Sequence, residues 1–451
     1  MIRGSDTQFA GLADFILDPA LTVPEEALKF ASTLLIDTLG VAAGAVSLDV
    51  AGIARDFAGD FHAAGGPENA APMLFDGRHV SLPGAAWALA TQIDNLDGHD
   101  GYNPTKGHIG VAVVPALFAF AARHPDLTGR EALTALAISY EVAARAGIAL
   151  HATVSDYHTS GAWNALGVAA LGCRLERTDP EILRQALGIA EYQGPRSQMM
   201  REIDNPTMLH DGSGIGAFVG CSATLLAQRG FQGAPAITAE APEVARYWQD
   251  LGRTWTVTRN YIKPYPVCRW AHAALDALHQ LMQQQGMNAE SVAQIQVRTF
   301  AEAARLFADM PDTTSQAQYS LHFALATMLL HGRIGPEHLT GAALRDPGVA
   351  ALIPRITASE DTRHSERFPA GRWSDVEVTL TDGQVLCSGD VHARGGPEAP
   401  MSDQEVRQKL HHMAGATLPV DRVDALWAMR DGLLEPGRKF TQLARLVIPA
   451  P

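Results

Sequence analysis

A change of period at Lys263 constrains this chain more than any other feature. Upstream of it, helical patterns follow one another over Glu25 to Val46, Pro83 to Asn95, Val111 to Arg123, Glu131 to Leu150, Ala162 to Leu175, Pro180 to Tyr192 and Gly214 to Gln228. Apolar residues recur on one face at helical spacing, and strand-like alternation is almost absent. Many inner-face residues are Ala or Gly, which allows close helix approach. Downstream, the run from Val292 to Phe300 and the run from Ser374 to Leu380 alternate with period two. Asp382-Gly383 then supplies a turn, and alternation resumes from Val385 to Val391, the pattern of a β-hairpin. Helices are predicted between the strands over Ala271 to Gln285, Tyr319 to Leu330 and Pro336 to Leu344, and again over Ser402 to Met413 and Asp421 to Leu433. The expected fold is mainly α: a large all-α helical domain over residues 1–262 and a smaller α+β domain over 263–400. The helices of 401–451 are expected to pack back on the first domain.

With 451 residues, 47% of them hydrophobic, the chain can build a large core and more than one domain. Its net charge of −14 and the lack of any basic block argue against nucleic acid or an anionic membrane as partner. Any anionic substrate therefore needs a local cationic site. Cys173, Cys221, Cys268 and Cys387 are scattered without CxxC spacing, so free thiols in a reducing cytoplasm are expected rather than a zinc site or a disulfide framework. The N-terminal MIRGSDTQFAGLADFI has no basic start followed by an apolar stretch, so no signal peptide is expected. The longest apolar stretch, Val111 to Ala122, contains Pro115 and is too short to span a membrane, which takes about 20 residues.

Four segments carry chemistry. Lys263-Pro-Tyr-Pro-Val-Cys-Arg-Trp-Ala-His272 places two fixed cations and a histidine within ten residues. Its prolines make a stiff, non-helical strut. Arg269 and His272 follow near a predicted helix N-terminus at Trp270, where backbone N–H groups and the macrodipole favour anions. The segment reads either as a holder for a carboxylate-rich ligand or as a proline-rich linker with solvated charges. The second segment runs from Ile93 to Gly110 and is a Gly-rich loop between two apolar helices. It carries Asp94, Asp97, His99, Asp100, Lys106 and His108. Loops on rigid helices are where catalytic groups tend to sit. Imidazoles and carboxylates there also suit a divalent metal, but no second fixed spacing such as HxxxH supports one, and the expectation is no metal. In the third, Asp156-Tyr-His-Thr-Ser-Gly161, His158 suits a general acid or base. Thr159 or Ser160 equally suits a helix cap beside an incidental histidine. In the fourth, Met208 to Gly216, three glycines follow His210 and Asp211 and let backbone approach a ligand closely. Neither a phosphate loop nor a Gly-x-Ser-x-Gly elbow is present, so a nucleotide site and a covalent hydrolase are not expected.

In this order the segments resemble the MmgE/PrpD family. The similarity runs through Leu35 to Gly44, Ile93 to His99, His108-Ile-Gly110, Val114 to Ala119, Tyr140 to Gly147, His158 to Gly161, Lys263 to Arg269 with His272, Ala317 to Ala324 and Arg394 to Pro397. The resemblance implies a large helical domain, a smaller α+β domain, a site between them and a homodimer. It implies cofactor-independent chemistry on a small carboxylate: dehydration first, with epimerisation or decarboxylation as alternatives on the same site. By the same resemblance His158, His108, Asp94 and Lys263 form the catalytic set, with Asp94 tuning one histidine. Arg269, His272, His210 and Lys106 are expected to contact substrate, Lys106 replacing a lysine that the family often carries near the fourth segment. Three further departures are a longer loop between Asp97 and His108, Thr159 in place of proline, and Phe323 where a tyrosine is often found. They bear on which substrate is taken.

Overall fold

The computed structural model describes residues 6–449. Helices dominate the first part of the chain. Their starts are fixed by local chemistry. Ser81 caps Leu82–Asp94 by accepting from the Gly84 amide, with a proline in the first turn. Thr128 and Glu131 form a reciprocal capping box on Gly129–Thr153. Asp179 caps Pro180–Gln193. The Ala/Gly faces do allow close packing. A Cβ on Gly220 of Ser213–Gln228 would stand 2.5 Å from the Ala165 carbonyl of Gly161–Leu175. One on Gly167 would stand 2.7 Å from the Ser139 carbonyl of Gly129–Thr153. Glu25–Gly44 and Gly129–Thr153 are long and apolar enough to cross a membrane, but most of each is buried in the interior as core.

After the strut, a mixed sheet forms. The strands are β1 (Ala70–Pro72), β2 (His79–Ser81), β3 (Val292–Thr299), β4 (Ile356–Glu360), β5 (Trp373–Leu380), β6 (Val385–Cys387) and β7 (Val391–His392). The order β4-β3-β5-β6 has β3 parallel to β4 and antiparallel to β5, with β7 also on β5. His272–Gln285 and Leu321–His331 accompany the sheet. The Asp382-Gly383 turn is present, with Gly383 at a φ of +89°.

Several expectations need correction. Pro336 to Leu344 is two 3₁₀ turns, Pro336–His338 and Gly341–Arg345, the second opening on Gly341 at positive φ. The run from Val385 to Val391 breaks into β6 and β7 at Gly389, again at positive φ. β4 had no clear alternation, and its outer residues are exposed. A two-stranded β1–β2 pair sits within the helical part. The C-terminal helices contact the N-terminal part directly. Asp403–Ala414 lies on Glu25–Gly44, where a Cβ on Gly40 would meet Leu410 at 2.7 Å. Lys409 Nζ reaches Asp37 Oδ2 at 2.8 Å and the Gly98 carbonyl at 2.7 Å.

Candidate active site

Lys263 is fully buried at the end of the strut. Its ammonium donates to the Asp97 carbonyl at 2.9 Å and pairs with the Asp97 carboxylate. The ion pair thus ties the strut to the loop that follows Leu82–Asp94. Asp94 itself is the last residue of that helix, and its Oδ2 accepts from the Ser213 amide at 3.1 Å. Ser213 opens the helix Ser213–Gln228, so the carboxylate sits at a helix N-terminus, where such an anion is favoured. Burial and the neighbouring Asp211 nevertheless hold its pKa well above the usual range.

His108 stands at the centre. Its Nδ1 lies 2.7 Å from the Asp100 carbonyl, which can only accept, so Nδ1 carries the proton. In the neutral ring Nε2 is then a free lone pair. That Nε2 lies 3.3 Å from Asp211 Oδ2. Burial, then the Lys263 charge, drives the His108 pKa well down. Burial, then Asp97, raises Asp211 to about 6. Two acceptors facing each other at this distance are satisfied when one proton lies between them. The pair can therefore hold one shared proton, taken up as Asp211 titrates near pH 6. His99 packs edge-on against His108, with ring centroids 4.5 Å apart, and its Nε2 is 3.7 Å from Asp94 Oδ1. Neither nitrogen of the buried His99 has a hydrogen-bond partner, and desolvation keeps the ring neutral.

Backbone strain aims these groups. Asp97, Lys106 and His210 have φ of +52°, +55° and +45°, in the left-handed region that non-glycine residues seldom occupy. Gly101 must be glycine for a different reason: a Cβ there would lie 2.3 Å from the Tyr261 hydroxyl and 2.8 Å from His108 Nδ1.

The expected residues divide into two groups. His108, Asp94 and Lys263 come together with His99, Asp97 and Asp211. His210 joins them from the other side: its Nε2 is 3.4 Å from Ser315 Oγ and its ring packs against Tyr319, whose hydroxyl donates to Glu202. Burial and Lys263 lower its pKa to about 3. The phenol in this region is thus Tyr319, while Phe323 is core. His158 is buried with Nδ1 unpartnered, and no hydrogen bond joins its ring to His108 among the described residues. Its turn reaches the centre through Ser160, whose Oγ accepts from the His108 amide at 2.9 Å and whose amide donates to Asp211 Oδ1 at 3.3 Å. Lys106 lies over the Tyr157 ring at 4.0 Å.

Arg269 and His272 are both engaged by backbone carbonyls. Arg269 donates to the Arg394 carbonyl at 2.7 Å and the Ala393 carbonyl at 2.9 Å, and stacks on Tyr261 at 4.2 Å. Its terminal nitrogens pin the loop after β7. His272 turns Nε2 to the Val267 carbonyl at 3.0 Å and closes the strut on itself. Asp100 lies apart from this cluster. It faces the Tyr140 hydroxyl and the Gly110 amide, not His99, and burial lifts its pKa to about 7. Asp97, His99 and His108 each offer a donor atom within 4.8 Å of the others. A divalent cation there would lie beside the Lys263 ammonium, which pairs with Asp97 Oδ1 and leaves Oδ2 without a partner. Asp211, Ser160 and Glu202 were missed in the sequence. Asp211 stood next to a singled-out His210, and the three-glycine turn was its available signal.

The N-terminal domain of the MmgE/PrpD family matches residues 10–247, and its C-terminal domain matches residues 265–433. The chain belongs to the MmgE/PrpD family. Among similar proteins, the cis-aconitate decarboxylase-like protein oryM of Aspergillus oryzae is 22% identical over 90% of this chain and 89% of its own length. Human cis-aconitate decarboxylase is 22% identical over 89% of this chain and 86% of its own. The mitochondrial 2-methylcitrate dehydratase of Yarrowia lipolytica is 30% identical, but over only 24% of this chain and 22% of its own length. In this MmgE/PrpD protein the break between the two matches, residues 248–264, includes the start of the strut. Lys263 thus stands at the junction of the family's two parts.

Proposed function

We propose that this protein is a cofactor-independent lyase of a small di- or tricarboxylate, with dehydration as its first reading. The observation that carries this is the His108–Asp211 pair: a neutral imidazole with a fixed tautomer, a carboxylate that can share the proton it accepts, and the Lys263 cation close by. Removing a proton from a carbon beside a carboxylate builds charge on that carboxylate. A positioned base and fixed positive charge lower the barrier. His108 Nε2 takes the proton from carbon and shares it with Asp211. His158, with its unpartnered Nδ1, protonates the departing hydroxyl so that water leaves and a carbon–carbon double bond forms. Asp94 holds His99 against His108.

A second reading is decarboxylation, favoured because the relatives matched over most of the chain are named for it. There, carbon dioxide leaves with its bonding pair left on carbon, and the His108–Asp211 proton is delivered to that carbon. Mass-resolved turnover of 2-methylcitrate, citrate, cis-aconitate, malate and iminodisuccinate separates the two. Loss of water supports the first reading and loss of carbon dioxide the second. Deuterium uptake with no other mass change makes the protein an epimerase, and inertness toward all five contradicts the lyase assignment.

A further inference from the structure

Arg372 is a buried cation that the proposed chemistry has not used. It is 1% exposed, on the segment that leads into β5. No carboxylate pairs with it among the described residues. That is unusual, because a buried charge is costly unless it is paired or hydrogen-bonded. Its Nη1 donates to the Pro369 carbonyl and to the Gly371 carbonyl at 3.3 Å, and its guanidinium lies over the Phe368 ring at 4.6 Å. These contacts fix the plane of the group. They leave the Nε–Nη2 edge unused: Nε is buried without a partner, and Nη2 makes no hydrogen bond among the described residues. That edge is one of the two forks that match the oxygens of a carboxylate.

The segment reaches the helical part of the molecule. The Ala370 carbonyl accepts from Asn103 Nδ2 at 3.2 Å, so it lies on the 101–107 loop that precedes His108. The Arg372 charge helps depress His108 and acts on the Tyr157 and Tyr261 phenols. Tyr261, Tyr157 and Cys268 act on the Arg372 charge more strongly than Glu302 does. Arg269 shares the unpartnered Nε, but both its terminal nitrogens donate to carbonyls, so its Nε–Nη2 edge is half used.

We propose that Arg372 receives a substrate carboxylate through its free Nε–Nη2 edge, anchoring the acid across the two parts of the molecule beside His108. This rests on reading the His108 region as a carboxylate-handling site. It makes Arg372 a specificity-determining residue. The probe is propane-1,2,3-tricarboxylate, which has no hydroxyl or double bond to react, with glutarate and butyrate as shorter members of the series. Calorimetry on the full chain measures binding to wild type, Arg372→Gln and Arg372→Lys, with thermal midpoints recorded for each.

Hydrogen bonds to charged groups predict that Arg372→Gln weakens the tricarboxylate roughly 10- to 100-fold. Arg372→Lys, which keeps the charge and loses the fork, should fall between. Butyrate should bind far more weakly than glutarate. Should Arg372→Gln not fold, the lysine variant carries the test, since it must still weaken the tricarboxylate more than the monocarboxylate. Equal affinity in a folded variant overturns the proposal, as does wild type that binds no probe. The lyase reading fails separately: binding that depends on Arg372 without turnover of any acid would keep the anchor and remove the reaction. Turnover with an unchanged KM in Arg372→Gln would do the reverse.

Discussion

Lys263→Met tests the ion pair that joins the strut to the Asp97 loop. The two groups are 0% and 2% exposed, so solvent screens the pair little. At an effective dielectric of 20, opposite unit charges 4 Å apart attract by about 4 kcal/mol, and this pair is closer. Removing one partner of a buried pair typically costs about 3–5 kcal/mol, because the other charge is left uncompensated. Asp97 also faces Asp94, Asp211 and Glu202, whose raised pKa values all include the effect of a neighbouring carboxylate. The expected result is a loss of about 3–5 kcal/mol in urea denaturation at pH 7. Asp97→Asn in the Lys263→Met background should recover a large part of it. The coupling in the double-mutant cycle should exceed about 1 kcal/mol.

The penalty should also depend on pH in a definite direction. Burial already raises the Asp97 pKa, and without Lys263 it rises further. A carboxyl that holds its proton more tightly folded than unfolded costs stability as pH climbs from its unfolded pKa through its folded one. The penalty should therefore be largest at neutral pH and shrink toward pH 4. Additive effects in the cycle, or a penalty that does not change with pH, would refute the reasoning.

Other expectations concern the catalytic pair and its support. His108→Asn should lower kcat by about 10²–10⁴-fold in steady-state assays while leaving the thermal midpoint near wild type. Asp211 has a pKa raised to about 6, so kcat/KM should fall as pH drops below about 6 and a proton comes to lie between Asp211 and the His108 Nε2 that acts as base. Asp211→Asn should remove or displace that acid limb in a pH–rate profile. Gly101→Ala drives a Cβ into the Tyr261 hydroxyl and His108 Nδ1; it should cost about 1–3 kcal/mol in denaturation and about 10²-fold in rate.

The fold was legible where periodicity was long. Leu82–Asp94 and Ser213–Gln228 ended within a residue or two of expectation because a cap or a glycine turn marked them. β4 was not, because a five-residue strand with one buried position carries no alternation to read. In the site, His108 and Lys263 were legible from segments dense in chemistry. The carbonyl partners of Arg269 were not legible, because adjacency to a helix N-terminus says nothing of which carbonyls a long side chain will reach. The Lys263–Asp97 pair spans 166 residues, and the approach of Arg372 to the His108 loop spans still more. Such contacts come from the packing of the two parts of the chain, which local pattern does not encode.

The central claim is that His108 moves a proton at a carbon beside a carboxylate. The most direct test is deuterium incorporation at that carbon, followed by NMR for whichever acid wild type turns over, with wild type and His108→Asn compared in deuterated buffer. Label is expected in the wild-type product, with at least about 10²-fold slower appearance in the variant. Labelling at the wild-type rate by a folded His108→Asn would contradict it.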